Sequence, residues 1–174
     1  MIRPFEGKMP ELAPTAFVSE AAYVVGDVEI GENSSVWPKA VIRGDFGKIR
    51  IGRQSHIEDN CVLHAGTPAG PEQDLTIGDC VHIGHGAVVN AKSIGSHVLI
   101  GMNATVLHDV DIGNYCIIAA GCLVPHGMKV PDNAFVAGVP GRIKGTVTPE
   151  QRIWVEQAPE IYAQLCRRYR QAGL

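Results

Sequence analysis

Long apolar runs are missing from this 174-residue sequence, so no segment is predicted to span a bilayer. An excess of positive charge is missing as well. The 15 Lys and Arg stand against 18 Asp and Glu, a net charge of −3, and nothing calls for nucleic acid or an anionic membrane as partner. The opening stretch MIRPFEGKMPELAP lacks the apolar core of a secretory leader. Five cysteines, an odd number with no CxxC pair, argue against a disulfide framework or a zinc ribbon, and the expected setting is reducing and cytoplasmic. Aromatics are scarce at 6%, whereas 20 glycines and 11 prolines point to many tight turns around a core of small aliphatic residues. The length fits one domain.

What is present is a repeat. Val24, Ile30, Val36 and Ile42 are spaced by six. So are Ile51, Ile57 and Leu63, then Ile77, Ile83 and Val89, and then a run from Ile94 through Ile100 and Val106 to Val136. Gly often follows the aliphatic residue, and a small or compact residue such as Ala40, Cys61, Cys116 or Cys122 comes four positions on. A period of six suits neither an amphipathic helix nor a simple hairpin. It suits a short strand plus a turn, three of which make an eighteen-residue rung that stacks on the next at roughly 4.8 Å. The small column faces inward, so its cysteines are expected to be buried, inert thiols. The expected fold is an all-β solenoid: a parallel β-helix of about seven rungs over residues 1–147, stabilised by nearest-neighbour stacking. The pattern resembles the hexapeptide-repeat proteins, and that resemblance implies a left-handed coil.

The phase slips in three places. Ile42 to Ile51 is nine residues, so DFGK (45–48) is predicted to bulge; Val89 to Ile94 is five, a deletion at a corner; Leu63 to Ile77 is fourteen, and GTPAGPEQ (66–73) reads as an extruded loop. Beyond the coil, Thr148-Pro149-Glu150-Gln151 is a capping box that opens a C-terminal α-helix over 148–174. Ile153, Trp154, Ala158, Ile161, Tyr162, Leu165 and Tyr169 form a helical apolar stripe expected to pack along the coil, with Pro159 kinking or dividing the helix.

With the eight-residue loop removed, positions 26 apart lie one rung apart. His64 then sits under Asn90, His56 under His82, Glu58 under Gly84 and Asp59 under His85. His64 and Asn90 share one face, while His85 belongs to the edge before it. One coil does not easily converge all three. Two coils packed edge against face do, and a closed ring of three is the simplest symmetric solution.

The stretches AVIRGD (40–45), IGRQSHIEDNCVLH (51–64), IGHGAVVN (83–90), IGMNATVL (100–107) and AGVPGRI (137–143) resemble the gamma-class carbonic anhydrases over nearly the whole chain. The resemblance implies a homotrimer whose metal, Zn2+ or alternatively Fe2+ or Co2+, is held by three histidines between subunits. Residue by residue, two ligands match His64 and, from the neighbouring chain, His85; the third position is Asn90. Arg43, Asp45 and Asp59 match inter-subunit ion-pair and hydrogen-bond residues at the active site. Glu58 stands where the family has a glutamine that orients the metal-bound hydroxide, and His56 where it has an asparagine. A carboxamide oxygen is a poorer zinc ligand than imidazole. His56 is therefore a candidate replacement ligand, Glu58 a candidate fourth ligand or base, and either is a candidate catalytic proton acceptor that regenerates hydroxide.

The activity implied is reversible hydration of carbon dioxide by metal-bound hydroxide, a lyase reaction on a small-molecule substrate. Two other readings stay open. One is a hexapeptide acyltransferase or thioester hydrolase using a CoA substrate. The other is a non-catalytic trimeric scaffold that kept the fold after losing a ligand.

Overall fold

The structure, a computed structural model, describes residues 1–67 and 73–173. The repeat folds as expected into a parallel β-helix of triangular section. One face stacks Val62–His64, Val88–Val89, Thr105–Val106 and Leu123–Val124. A second stacks Leu75–Ile77, Ser93–Ile94, Asp111–Ile112 and Lys129–Val130. The third runs from Phe17–Val18 through Ser35–Val36, His56–Ile57, His82–Ile83, Leu99–Ile100 and Ile117–Ile118 to Ala134–Gly138, where the antiparallel strand Gly141–Thr146 closes the end. Two long strands, Tyr23–Ile30 and Val41–Ile51, cross a corner and belong to both of the first two faces.

The hexad residues fill the interior. Ile42, Ile57, Leu63, Ile83, Val89, Ile100 and Ile118 are fully buried. Cys61, Cys116 and Cys122 are buried beside them as free thiols, and burial pushes the Cys61 thiol up to about 11. Corner residues take up the turn strain. Asn33, Asn60, Asn103 and Asp109 sit at φ between +56° and +60°, where their short polar side chains are tolerated.

The stacking register holds. His82 pairs with His56, and Val88 and Val89 pair with Val62 and Leu63, which puts Asn90 over His64. The nine-residue slip is a bulge: between the Gly26–Gly44 and Val28–Ile49 pairs, two steps on one strand face five on the other, an excess of three. Of the extruded loop expected at 66–73, only Gly66, Thr67 and Gln73 are among the described residues.

The C-terminal helix, Pro149–Gln171, starts on the predicted capping box: the Thr148 hydroxyl accepts from the Gln151 amide, and the Gln151 side chain accepts from the Thr148 amide. Of the kink or division expected at Pro159, division is ruled out, and the expected apolar stripe needs revision. The helix does not divide at Pro159, which lies inside it. Pro159 is buried, and its carbonyl is engaged by His56 Nε2 at 3.0 Å, so a contact with the coil holds the segment where the missing N–H weakens it. The expected stripe is borne out in part: Tyr162, Leu165 and Tyr169 pack against Phe17, Trp37 and Cys166. Val155, Pro159, Ala163 and Cys166 face the coil, while Ile153, Trp154 and Ile161 are exposed. Small side chains on the inner face allow close approach, and the large rings pack at its border. Tyr162 and Tyr169 meet Trp37 edge-on with centroids 5.8 and 5.0 Å away, and Phe17 meets Trp37 at 5.3 Å.

Candidate functional site

The sequence-predicted site residues fall into two networks on different faces of the coil. The first comprises Arg43, Asp45 and His64. Strand pairing sets Arg43 beside His64, and the bulge carries Asp45 back toward them. Gly44 between the two acidic and basic side chains has a packing reason: a Cβ there would stand 2.4 Å from the backbone oxygen of Asp27. His64 Nε2 lies 2.8 Å from Asp45 Oδ1 and 3.3 Å from Arg43 Nη2, while Arg43 Nη1 reaches Asp45 Oδ2 at 3.0 Å. One ring nitrogen cannot donate and accept at once. The shorter contact, to a carboxylate, makes Nε2 the donor to Asp45, and the guanidinium then bonds only to the other carboxylate oxygen. Asn90, one rung above His64, has its Oδ1 buried with no hydrogen-bond partner.

The second network centres on Glu58, which is buried. Its Oε1 accepts from the Tyr162 hydroxyl and lies 3.1 Å from His82 Nε2. Its Oε2 accepts from the His85 backbone amide at 2.8 Å and lies 3.1 Å from His85 Nε2. Burial pushes this carboxyl up, but the hydrogen bond from His82, the charges of His82 and His85 and the His85 amide outweigh it, so its pKa falls below the usual carboxylate range. The other nitrogen of His85, Nδ1, meets Asp59 Oδ2 at 3.0 Å. Donation at both contacts at once takes the doubly protonated ring. The His85 side chain is 51% exposed, so its outer edge is open to another molecule.

His56 does not stand where a replacement ligand would. It lies beneath the helix, fully buried, with Nδ1 at 2.7 Å from Ser35 Oγ and Nε2 at 3.0 Å from the Pro159 carbonyl. Ser35 Oγ in turn accepts from Trp37 Nε1 at 2.8 Å, so its proton goes to His56 Nδ1, and Nε2–H donates to Pro159. Neither nitrogen has a lone pair free for a metal. Burial lowers its pKa to about 4, partly offset by the Pro159 bond, and the ring is neutral at pH 7. Sequence reasoning placed His56 and His82 on an outward face; the helix that covers that face is set by contacts about a hundred residues away in the chain. Tyr162 is the helix residue that reaches the site. Its ring stacks on His56 at 5.3 Å and meets His82 at 4.6 Å.

Among the described residues of one chain, no three His, Cys, Asp or Glu side chains converge to hold a metal. A trough of about 350 Å³ opens next to Glu58, His82 and His85, with an apolar floor that includes Leu99, Met102 and Ile117. Among the described residues, no helix is long and apolar enough to cross a membrane.

Comparison with known proteins finds relatives of one fold that carry several different names. The sequence model of the family described as dynactin subunit 5 matches residues 8–167. A probable carbonic anhydrase of Methanocaldococcus jannaschii is 48% identical over 77% of this chain and 82% of its own length. Gamma carbonic anhydrase 2, mitochondrial, of Arabidopsis thaliana is 32% identical over 92% of this chain, which spans 58% of that plant protein's length. A crystal structure of a putative acetyltransferase from Bacillus cereus superposes with a TM-score of 0.92 at 33% identity, covering 98% of this chain and 97% of that one.

Proposed function

This chain belongs to the gamma-class carbonic anhydrase family of hexapeptide-repeat proteins with the left-handed β-helix fold, and we propose that it is a metal-dependent hydratase of carbon dioxide, built as a homotrimer with its sites between copies. The observation that carries the reading is the buried, partnerless Oδ1 of Asn90 directly above His64. A buried acceptor without a donor is costly, by about 1–3 kcal/mol, and a bound cation relieves it. His64 and Asn90 of one chain with His85 of a second copy fit such an ion as a mixed nitrogen and oxygen donor set. Zn2+ is the family's metal, with Fe2+ or Co2+ as alternatives. When bound, the ion supplies hydroxide at neutral pH by lowering the pKa of a bound water toward about 7.

The chain's own residues have separable tasks. Asp45 fixes the ring of His64, as carboxylates commonly do for ligating imidazoles. Arg43 holds the far oxygen of that carboxylate. Glu58 and Asp59 each meet one nitrogen of His85; for this ring to bind an ion one of the two contacts has to be given up, and the other then holds the remaining N–H and sets the ring's orientation. Glu58, ionised and tied by several donors, is a weak base, and its role is orientation. His56 anchors the helix whose Tyr162 completes the Glu58 shell. A cytoplasmic setting is part of the proposal and rests on the free thiols, not on the carbonic anhydrase reading.

The test is metal analysis of the purified protein, followed by stopped-flow carbon dioxide hydration after loading with Zn2+, Fe2+ or Co2+. Stoichiometric metal with hydration above the buffer rate is expected. Failure to retain any of the three ions overturns the reading and leaves a trimeric scaffold. A second reading, acyl transfer or thioester hydrolysis with a CoA substrate, is favoured by one observation: the apolar trough that ends at His85, His82 and Glu58. Turnover of acetyl-CoA with amine acceptors, unaffected by chelation, distinguishes it.

A further inference from the structure

Two apolar features of the single chain stand open to solvent, the Phe46 ring beside His64 and the trough beside His85. We infer that Phe46 of one copy seats in the trough of the next, so that a second copy of this chain is the trough's occupant. This rests on the homotrimer reading above and adds an anchor residue to it. The polarity of the three faces decides which surfaces meet. On the second face, outward charges pair in a ladder, Glu29 with Arg50 and Asp111 with Lys129. The third face is covered by the helix through Pro159 and Tyr162. The first presents Val41, Val62, Val88, Thr105 and Leu123, stacked one above another and half-buried. A contiguous apolar face of this kind suits a protein partner. Heights along the coil then fix the register. Each turn climbs one rung, and the corner at His85 comes just before Asn90, which stands one rung above His64. His85 is therefore level with the gap between His64 and Asn90. In a ring whose axis runs parallel to the coils, the corner of one copy meets the first face of the next without sliding. Charge matches in the same register: Asp59 lies one rung beneath His85, and Arg43 one rung beneath His64. The same docking brings the end of the trough at His85 against Phe46, whose ring stands edge-on to His64 with centroids 5.7 Å apart and is 41% exposed. A cavity of roughly 150 Å³ takes benzene, and the trough holds about 350 Å³ above its floor of Leu99, Met102 and Ile117. A trough filled by Phe46 is closed to an acyl chain, which sets this arrangement apart from the CoA reading.

Sedimentation equilibrium of the full chain over a dilution series, with and without Zn2+, tests this. Phe46→Ala is expected to raise the dissociation constant of the trimer at least about tenfold, as truncation of an aromatic anchor does, with Phe46→Leu in between. Met102→Ala, in the trough, is expected to weaken assembly too, and the double variant by clearly less than the product of the two single effects. Single effects that simply multiply overturn the seat. Circular dichroism is expected to show both single variants folded, since both side chains are exposed in one copy. Phe46→Trp gives a readout that removes no contact: the emission added by the new indole is expected to shift to the blue on assembly, and an unshifted spectrum in the trimer overturns the inference. Unchanged assembly of Phe46→Ala overturns it while leaving the homotrimer standing. A chain that is monomeric throughout, with Zn2+ or without, overturns both.

Discussion

Acid should destabilise this protein through one buried imidazole, and the size of the effect follows from the geometry around His56. In the folded chain Nδ1 accepts from Ser35 and Nε2–H donates to the Pro159 carbonyl, so a second ring proton has no acceptor. Burial lowers the pKa from 6.5 to about 4. The unfolded chain therefore takes up this proton first as pH falls. The stabilising contribution is complete above about pH 6.5 and shrinks progressively down to about pH 4, where folded and unfolded forms are both protonated. At about 1.4 kcal/mol per pK unit, the loss across that window comes to about 3 kcal/mol, a large part of a typical domain's stability. Urea unfolding between pH 7.5 and pH 4 measures it. Protein concentration is held fixed because assembly contributes to stability, and a chelator is present so that metal-linked protons do not. Carboxylates with lowered pKa values also lose stability in acid, but they are common to the comparison with His56→Asn, which cannot take up the proton. The variant starts less stable by about 1–3 kcal/mol, since one partner is left unpaired. The quantity of interest is its pH slope, expected to be flatter between pH 6.5 and 4 by about 3 kcal/mol in total. Parallel slopes for the two proteins would refute the assignment of His56 as a neutral, doubly bonded anchor of the helix.

Tyr162→Phe keeps the ring contacts with His56 and His82 but removes the hydroxyl donor to Glu58, a hydrogen bond to a buried charge. The urea midpoint should fall by the equivalent of about 2 kcal/mol, with the m-value unchanged. Gly44→Ala drives a Cβ to within 2.4 Å of the Asp27 carbonyl oxygen, and backbone at the bulge cannot yield as a side chain does. Loss of about 3 kcal/mol or more is expected, seen as a lowered thermal midpoint by circular dichroism or as failure to recover folded protein.

Most of the fold was legible because a parallel β-helix writes its register into the chain. Every inward hexad position from Ile94 to Val136 is a local statement about burial, and stacking repeats it rung after rung. Even the interruptions were readable: the three surplus residues between Ile42 and Ile51 reappear as the three-residue excess of the bulge. The 26-residue spacing that set His82 over His56 and Asn90 over His64 was likewise simple arithmetic on a linear lattice. The helix was legible only at its start, where the capping box is local. Which face it buries depends on the surface beneath it, and Trp154, the largest residue of the expected stripe, ended 71% exposed. Nothing in the local pattern around Pro159 announces that its carbonyl will meet His56. The unsatisfied Oδ1 of Asn90 is equally invisible in sequence, since it is a property of the neighbours and not of the residue.

The helix also changes how the three departures from the family pattern relate to one another. In the sequence, His56, Glu58 and Asn90 read as one altered site, with a histidine gained to offset a histidine lost. In the structure they separate by partner. His56 and Glu58 are both held by the helix, one through Pro159 and the other through Tyr162, and His82 links them, with its Nε2 on Glu58 and its ring 6.5 Å from His56. A histidine and a glutamate at these positions therefore form one docking surface for the helix, and exchanging either strands its own buried polar partners. Asn90 has no part in that surface. It stands on the next face with Asp45 and His64. His85 belongs to the Glu58 group. Its backbone amide and its ring both meet Glu58, which also accepts from Tyr162, so the setting of the His85 ring depends on how firmly the helix is seated.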